Sequence, residues 1–372
     1  MSRIPLSEPM LGGNTRRYLD ECIETNFVSS VGPFVTRFET EFAAFVGARF
    51  AVACSSGTAA LHVAFRLLGL QPGDEVLVPS LTFIASVNPI AYERATPVFV
   101  DSELESWNLD PDLVVAYIEE AARTGKRLPR AVEVVHVLGH PAKLEAIIDI
   151  CAKYDIAVIE DAAEALGATY QGGRYDGRHV GTIGKLGCYS FNGNKIITTG
   201  GAGMITTDDP ELARRAKHLT TQARLPGVAY QHDEIGYNYR LTNMAAALGV
   251  AQLEQLRAFM AKKQAISARY DAALAGRAEV IVPPRAAWAR PTMWLYSPRV
   301  GSARDAYVQR LIAADIEARP IWTPVHTMPM YRGATYLGGT NAAQLAAEAL
   351  SLPCSVGLTD EQQDRVLAVL AP

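Results

Sequence analysis

Three groups of residues in this chain could do chemistry together: a lone lysine, a strand-end pair of carboxylates and a serine-glycine-threonine turn. Lys195 sits in "SFNGNKIITTGGAGMI" (190–205), among small and uncharged residues, with glycines at 193, 200, 201 and 203 and no acidic residue close in sequence. A lysine desolvated in such a place has a lowered pKa and becomes a Schiff-base nucleophile. A lysine taken at random is instead a surface residue in a turn. "VIEDAAEALGA" brings Glu160 and Asp161, followed by small residues that let another group approach. A carboxylate buried at a strand end needs a cationic or proton-donating partner; Asp161 with Glu164 also reads as a capping box that opens a helix. "SSGTAAL" places Ser56, Gly57 and Thr58 where a helix begins. Its free N–H groups and dipole favour an anion, although the same turn reads as a plain cap. An anion-binding helix start, a strand-end carboxylate and a poorly paired lysine are together what pyridoxal phosphate asks of a protein. The first holds the phosphate, the second keeps the ring nitrogen protonated, and the third bonds to the aldehyde and moves protons.

The elements that must position these groups are legible as alternating periods. Short apolar, β-branched runs at 50–56, 75–80, 97–101, 131–137, 156–161, 187–191 and 202–207 read as strands. Several are apolar on both faces, and helical patterns such as "TAALHVAFRLLG" (58–69) and "LEAIIDICAKY" (144–154) separate them. That alternation predicts a largely parallel central sheet in an α/β sandwich, whose ligands sit beyond the carboxyl ends of the strands. From Thr242, a plausible N-cap, one long helical pattern runs to a stop at Gly276 and links two domains. The reading is a large α/β domain over residues 1–250 and a smaller C-terminal α+β domain over 251–372, with a helix near 303–315.

Composition narrows the partners. The chain has 372 residues, 49% of them hydrophobic, and a formal net charge of -4. It is long enough to bury a full core, and it lacks the basic footprint of a nucleic-acid or anionic-membrane binder. Five scattered cysteines without a CxxC pair argue against a disulfide framework or a zinc site, so no metal is expected and a reducing cytoplasm is. "MSRIPLSEPMLGG" has no signal-peptide core, and no apolar run reaches membrane-spanning length. The glycines of "GGAG" precede a strand pattern, so they are not a dinucleotide fingerprint. Cys54 and Cys188 fall in apolar strands, where a desulfurase nucleophile is not expected.

The ordered blocks "NFVSSVGPFVTRFETEFAAFVGARFAVACSSGTAALHVA", "PGDEVLVPSLTFIASVNPI", "IEDAAEALGA", "SFNGNK", "GYNYRLTNMAAALGVAQL", "EARPIW", "PVHTMPMY" and "LSLPCSVGLT" make the chain resemble the DegT/StrS nucleotide-sugar aminotransferases over nearly its whole length. The resemblance implies the aspartate aminotransferase-like fold type I of pyridoxal phosphate-dependent transferases. It implies Lys195 as the lysine joined to the cofactor and Asp161 as the partner of the pyridine nitrogen. Gly57, Thr58 and Ser190 would bind the phosphate, and Phe83 would stack on the ring. Glu164 stands where many members have glutamine, near the phenolic oxygen. Asn238 would reach the phosphate of a neighbouring subunit, which implies a homodimer with shared active sites. Arg240 and His326 are candidate substrate contacts, with interface packing and a satisfied structural histidine as their alternatives. Members that dehydrate sugars carry histidine at the lysine position, so Lys195 implies transamination from glutamate. The motif set looks most like the subgroup that aminates C4 of UDP-2-acetamido-4-keto-2,6-dideoxyglucose, on the bacillosamine and legionaminic acid routes. GDP-perosamine synthases, which use GDP-4-keto-6-deoxymannose, are the runner-up. One departure is Trp294 to Tyr296, "WLY", where many members read His-Leu-Tyr.

Overall fold

Each of the seven apolar runs becomes a strand in the computed structural model, which describes residues 3–370. In chain order the strands are β1 (Phe50–Cys54), β2 (Glu75–Pro79), β3 (Thr96–Val100), β4 (Ala131–Val135), β5 (Ala157–Asp161), β6 (Thr169–Tyr170), β7 (Leu186–Ser190), β8 (Gly203–Thr207), β9 (Ala289–Arg290), β10 (Arg319–Pro320), β11 (Tyr336–Leu337) and β12 (Leu350–Ser351). Eight of them form the central sheet in the order β1-β8-β7-β5-β4-β2-β3-β11. Only β8 runs against its neighbours, pairing antiparallel with both β1 and β7, so the sheet is mixed and mostly parallel. The edge strand β11 comes from the C-terminal part of the chain, a contribution too short for periodicity to reveal.

Apolar residues on both faces of the strands bury two cores. On β4, Val132 and Val134 face one core with Phe38, Phe42 and Val250, while Ala131 faces the other with Phe65, Ile90 and Leu219. A third core gathers Ile266, Tyr270, Tyr296, Leu311, Leu352 and Val366 from the C-terminal third, and Ile4 joins it through a parallel bridge to Ile316.

The single helix expected from Thr242 to Gly276 is two helices, Asn243–Leu253 and Leu256–Leu274. Thr242 caps the first, its Oγ1 accepting from the Ala245 N–H at 3.2 Å, and Gly276 ends the second at φ +83°. The break lies at Glu254 and Gln255. The Glu254 carboxylate accepts from Asn14, Tyr18 and Arg37, and Gln255 Nε2 donates to Gly12 O. Those partners lie more than 200 residues away in sequence, so no local pattern marks the break.

A carboxyl interrupts the apolar run of β4. Glu133 on β4 is fully buried, and neither carboxyl oxygen meets a hydrogen-bond partner among the described residues. Burial, and then the charge of Asp161, hold its pKa well above the usual carboxylate range. A folded-state pKa above the unfolded one means that the native chain keeps a proton the unfolded chain releases. Its stability is therefore complete below the unfolded carboxyl pKa and declines as pH rises toward the folded one, by about 1.4 kcal/mol per pH unit. A Glu133→Leu chain is expected to resist urea better than the natural one, with an advantage that is larger near pH 8 than near pH 5. An advantage independent of pH would mean that the carboxyl is solvated in the native chain.

Candidate active site

The carboxyl ends of β1, β5 and β7 open onto one cavity of about 480 Å³. Its floor is built from the strand ends and the loops that follow them, and its far wall from Trp294, Leu295 and residues 319–322 of the C-terminal part.

β1 runs into the helix Gly57–Leu67. Ser56 caps it in extended backbone geometry, its Oγ accepting from the Ala59 N–H at 3.0 Å. The N–H groups of Gly57 and Thr58 lie in the first turn, where a helix offers no internal acceptor. A Cβ added at Gly57 would stand 2.8 Å from the Cβ of Ser190, at the end of β7. Any side chain at 57 would thus push the helix start away from β7, and the turn must be glycine.

β5 ends in two carboxylates that point opposite ways. Glu160 accepts from the N–H groups of Gly181 (2.8 Å), Ile183 (2.6 Å) and Gly184 (2.6 Å), and its Oε2 lies 3.0 Å from His136 Nε2. Burial works to raise this carboxyl, but His136 and the backbone donors hold it below the usual range. Asp161 faces the cavity. Its Oδ2 accepts from Ser86 Oγ at 2.8 Å, its Oδ1 from the Ala163 N–H at 2.9 Å, and burial raises its pKa against these donors and Lys195. The capping-box reading of Asp161 and Glu164 fails, because no helix follows β5. The chain turns there instead, and Glu164 swings its Oε2 to the Leu138 N–H at 2.9 Å. That donor is presented by a sharp turn with Leu138 at φ +55° and Gly139 at φ +92°. At Gly139 a Cβ would lie 2.7 Å from Thr292 Oγ1 and 3.0 Å from the Trp294 nitrogen.

Lys195 reaches into the same space from the loop after β7. Its backbone N–H donates to Asn192 O at 3.0 Å, and its side chain is 13% exposed. The sequence shows no acidic partner, but folding supplies one: Nζ lies 3.6 Å from Glu164 Oε1. It also lies 3.8 Å from the centroid of the Trp294 ring. Burial lowers the lysine's pKa while Glu164 and Asp161 pull it back up, and burial pushes the Glu164 carboxyl up to about 7. An amine and an acid with converging proton affinities therefore sit side by side, the arrangement that suits proton transfer near neutrality.

Gly57, Thr58, Phe83, Asp161, Glu164, Ser190 and Lys195 all line this cavity. Phe83 stands just before the helix Ile84–Tyr92, 51% exposed. Three other candidates lie elsewhere. Asn238 and Arg240 are exposed and do not line the cavity of their own chain. His326 does not line it either: its Nδ1 lies 2.6 Å from Ser80 Oγ and its ring stacks on Tyr336 at 4.0 Å, so the structural reading of this histidine fits its surroundings. Sequence reasoning missed Ser86, Arg319 and Trp322. Ser86 lies in the quoted "TFIASVN", four residues after Thr82, whose hydroxyl is 2.9 Å from its own. Cys54 and Cys188 are buried, with thiols pushed up by burial.

A model of the DegT/DnrJ/EryC1/StrS aminotransferase family matches residues 9–371 of this chain. EpsN of Bacillus subtilis is 42% identical to it, over 99% of this chain and 95% of that protein. The GDP-perosamine synthase of Caulobacter vibrioides is 40% identical, over 100% of this chain and 98% of that enzyme. Among solved structures, the aminotransferase TlmJ from Streptoalloteichus hindustanus matches with a TM-score of 0.90 at 30% identity, covering 99% of this chain and 97% of that one.

Proposed function

The chain belongs to the DegT/DnrJ/EryC1/StrS aminotransferase family, a family of pyridoxal phosphate-dependent sugar aminotransferases of fold type I, and from that premise we propose that it moves the amino group of glutamate to C4 of a nucleotide-linked 4-keto-6-deoxy sugar. The observation that carries this reading is the meeting of Lys195, Glu164 and Asp161 in one cavity beside a helix start that has no room for a side chain.

The residues fit the cofactor. In this reading Gly57, Thr58 and Ser190 hold its phosphate, Asp161 meets its ring nitrogen, Phe83 covers a ring face, Glu164 lies near its phenolic oxygen and Lys195 bonds to it. Bound pyridoxal phosphate supplies an aldehyde that condenses with amines and a ring that draws off carbanion charge. Asp161, already fixed by Ser86 and Ala163, presents one charged oxygen edge without reorganising. Lys195, when free, takes a proton at Nζ and returns it, and the Glu164 carboxylate 3.6 Å away favours the charged amine. Trp294, Leu295 and Ile321 close the C-terminal wall with apolar surface, which keeps water from competing for the reacting groups.

A second copy of the chain completes the proposed site. Val228 is 99% exposed, Tyr230 and Ile235 in the same segment are 83% and 75% exposed, and Phe27 and Val31 near the N-terminus are 43% and 64% exposed. Apolar side chains exposed together mark a contact surface. Asn238 follows that segment and faces outward, which supports a homodimer in which it serves the partner's site. No helix among the described residues is long and apolar enough to cross a membrane. A cytoplasmic setting belongs to the same reading and rests on five unpaired, buried cysteines.

Two sugars compete for the role of acceptor. The motif set favours UDP-2-acetamido-4-keto-2,6-dideoxyglucose, whereas the likeness to GDP-perosamine synthase over the full chain favours GDP-4-keto-6-deoxymannose. With glutamate as donor and mass analysis of the products, the UDP sugar is expected to be aminated with a kcat/KM roughly tenfold or more above the GDP sugar. The reverse ranking would assign the chain to the GDP substrate, and amination of neither would remove the reading of a 4-keto-6-deoxy sugar as acceptor.

A further inference from the structure

Two groups hold the Lys195 ammonium at short range, and one of them is the Glu164 carboxylate. The other is Trp294, whose ring centroid lies 3.8 Å from Nζ. The indole is not free to turn. Its Nε1–H donates to the carbonyl of Asn194 at 2.6 Å, which ties the ring to the residue preceding the lysine. Trp322 lies nearly parallel to it, with centroids 6.4 Å apart and 13° between the planes. The residue is 4% exposed, and its backbone is wedged against Gly139. A cation over an aromatic face is held most strongly when both are withdrawn from water, and tryptophan presents the best face.

We propose that Trp294 is a positioning residue for Lys195, its indole face serving as the resting place of the lysine's free ammonium whenever that nitrogen is not covalently engaged. The inference rests on the reading of Lys195 as the lysine that bonds to the cofactor. The free amine is released into a buried cavity during each transfer, and it must remain within reach without drifting to solvent. Glu164 alone holds it at 3.6 Å, beyond close ion-pair geometry. The indole supplies a second anchor that offers no proton acceptor, so the lysine keeps its own proton until a substrate carbon takes it. The charged groups facing Nζ are Glu164, Asp161 and, across the cavity, Arg319. The indole N–H of Trp294 is given to Asn194 and to none of these groups.

The test is the pH profile of Lys195 acetylation by acetic anhydride in the cofactor-free full chain, followed by peptide mass spectrometry, for the natural protein, Trp294→Phe and Trp294→Leu. Removing the aromatic face weakens the hold on the proton about tenfold, so the Trp294→Leu midpoint falls by about one pH unit, with Trp294→Phe between the two. Midpoints within about 0.2 of the natural one in both variants, with a raised KM for the sugar, would make Trp294 a wall of the sugar site and overturn the proposal. If Trp294→Leu does not fold, an unmoved midpoint in Trp294→Phe overturns it equally. Borohydride fixation of pyridoxal phosphate, read at the same lysine, separates the two ideas. A shifted midpoint without any fixed adduct leaves the resting place standing and removes the covalent role of Lys195.

Discussion

A Lys195→Ala variant is expected to lose amine transfer by at least ~10⁴-fold, the scale on which removing a nucleophile that also moves protons is felt. Lys195 is the single lysine among the residues that line the cavity, and the other cation there, Arg319, carries a guanidinium that does not deprotonate in proteins and so cannot act as an amine nucleophile. Nothing nearby can stand in for it. Lys195→Arg should fail almost as badly, because it keeps the charge over Trp294 and near Glu164 while losing the reactive nitrogen. The measurement is product formation from glutamate and the keto sugar, alongside borohydride fixation, which should mark Lys195 in the natural chain and no residue of the variant. Turnover within tenfold of the natural rate would remove Lys195 from the reaction.

How far the sequence carried this prediction depends on what each residue needs from its surroundings. The seven strands were legible because each is a short apolar run, several of them set between helical patterns, and their length separates them from helices where period cannot. The turn at Ser56–Thr58 was legible because a helix start is a local matter, fixed by residues three apart. Asp161 was legible as chemistry but not as geometry. The pattern Asp-x-x-Glu is the same whether a helix follows or a turn does, and the decision rests on Leu138, whose N–H claims Glu164 from 26 residues away. The pairing of Lys195 with Glu164 was hidden for the same reason, since it joins the loops after two different strands. Trp294 drew notice as a departure from the related sequences, yet its place over Lys195 depends on the C-terminal part folding back across the cavity. Glu133 went unremarked because one acid inside "AVEVVHV" does not disturb an apolar run, and only the packed sheet shows that both its oxygens lack partners.

Asp161→Asn should separate catalysis from stability in opposite directions. The substitution keeps the shape, with the amide oxygen accepting from the Ala163 N–H and the amide NH2 donating to Ser86 Oγ, whose own proton turns to Thr82, but it removes the charge that the proposed ring nitrogen would meet. Breaking a buried ion pair costs ~4 kcal/mol, which is about 10³-fold in rate if that pair forms in the transition state. In the cofactor-free chain the same charge is a burden. Burial raises the folded-state pKa of Asp161 above that of an exposed carboxyl, in spite of its two hydrogen-bond donors and Lys195. The native chain then binds the proton more tightly than the unfolded one does. The stability contributed is present below the unfolded pKa and is lost as pH rises through the folded pKa. Above that window the asparagine variant, with no proton to lose, should unfold at higher urea than the natural chain while transferring amine about a thousandfold more slowly. A variant that is both slower and less stable throughout the pH range would show Asp161 to be a structural carboxylate. One that retains its rate within threefold would place the partner of the ring nitrogen elsewhere in the cavity.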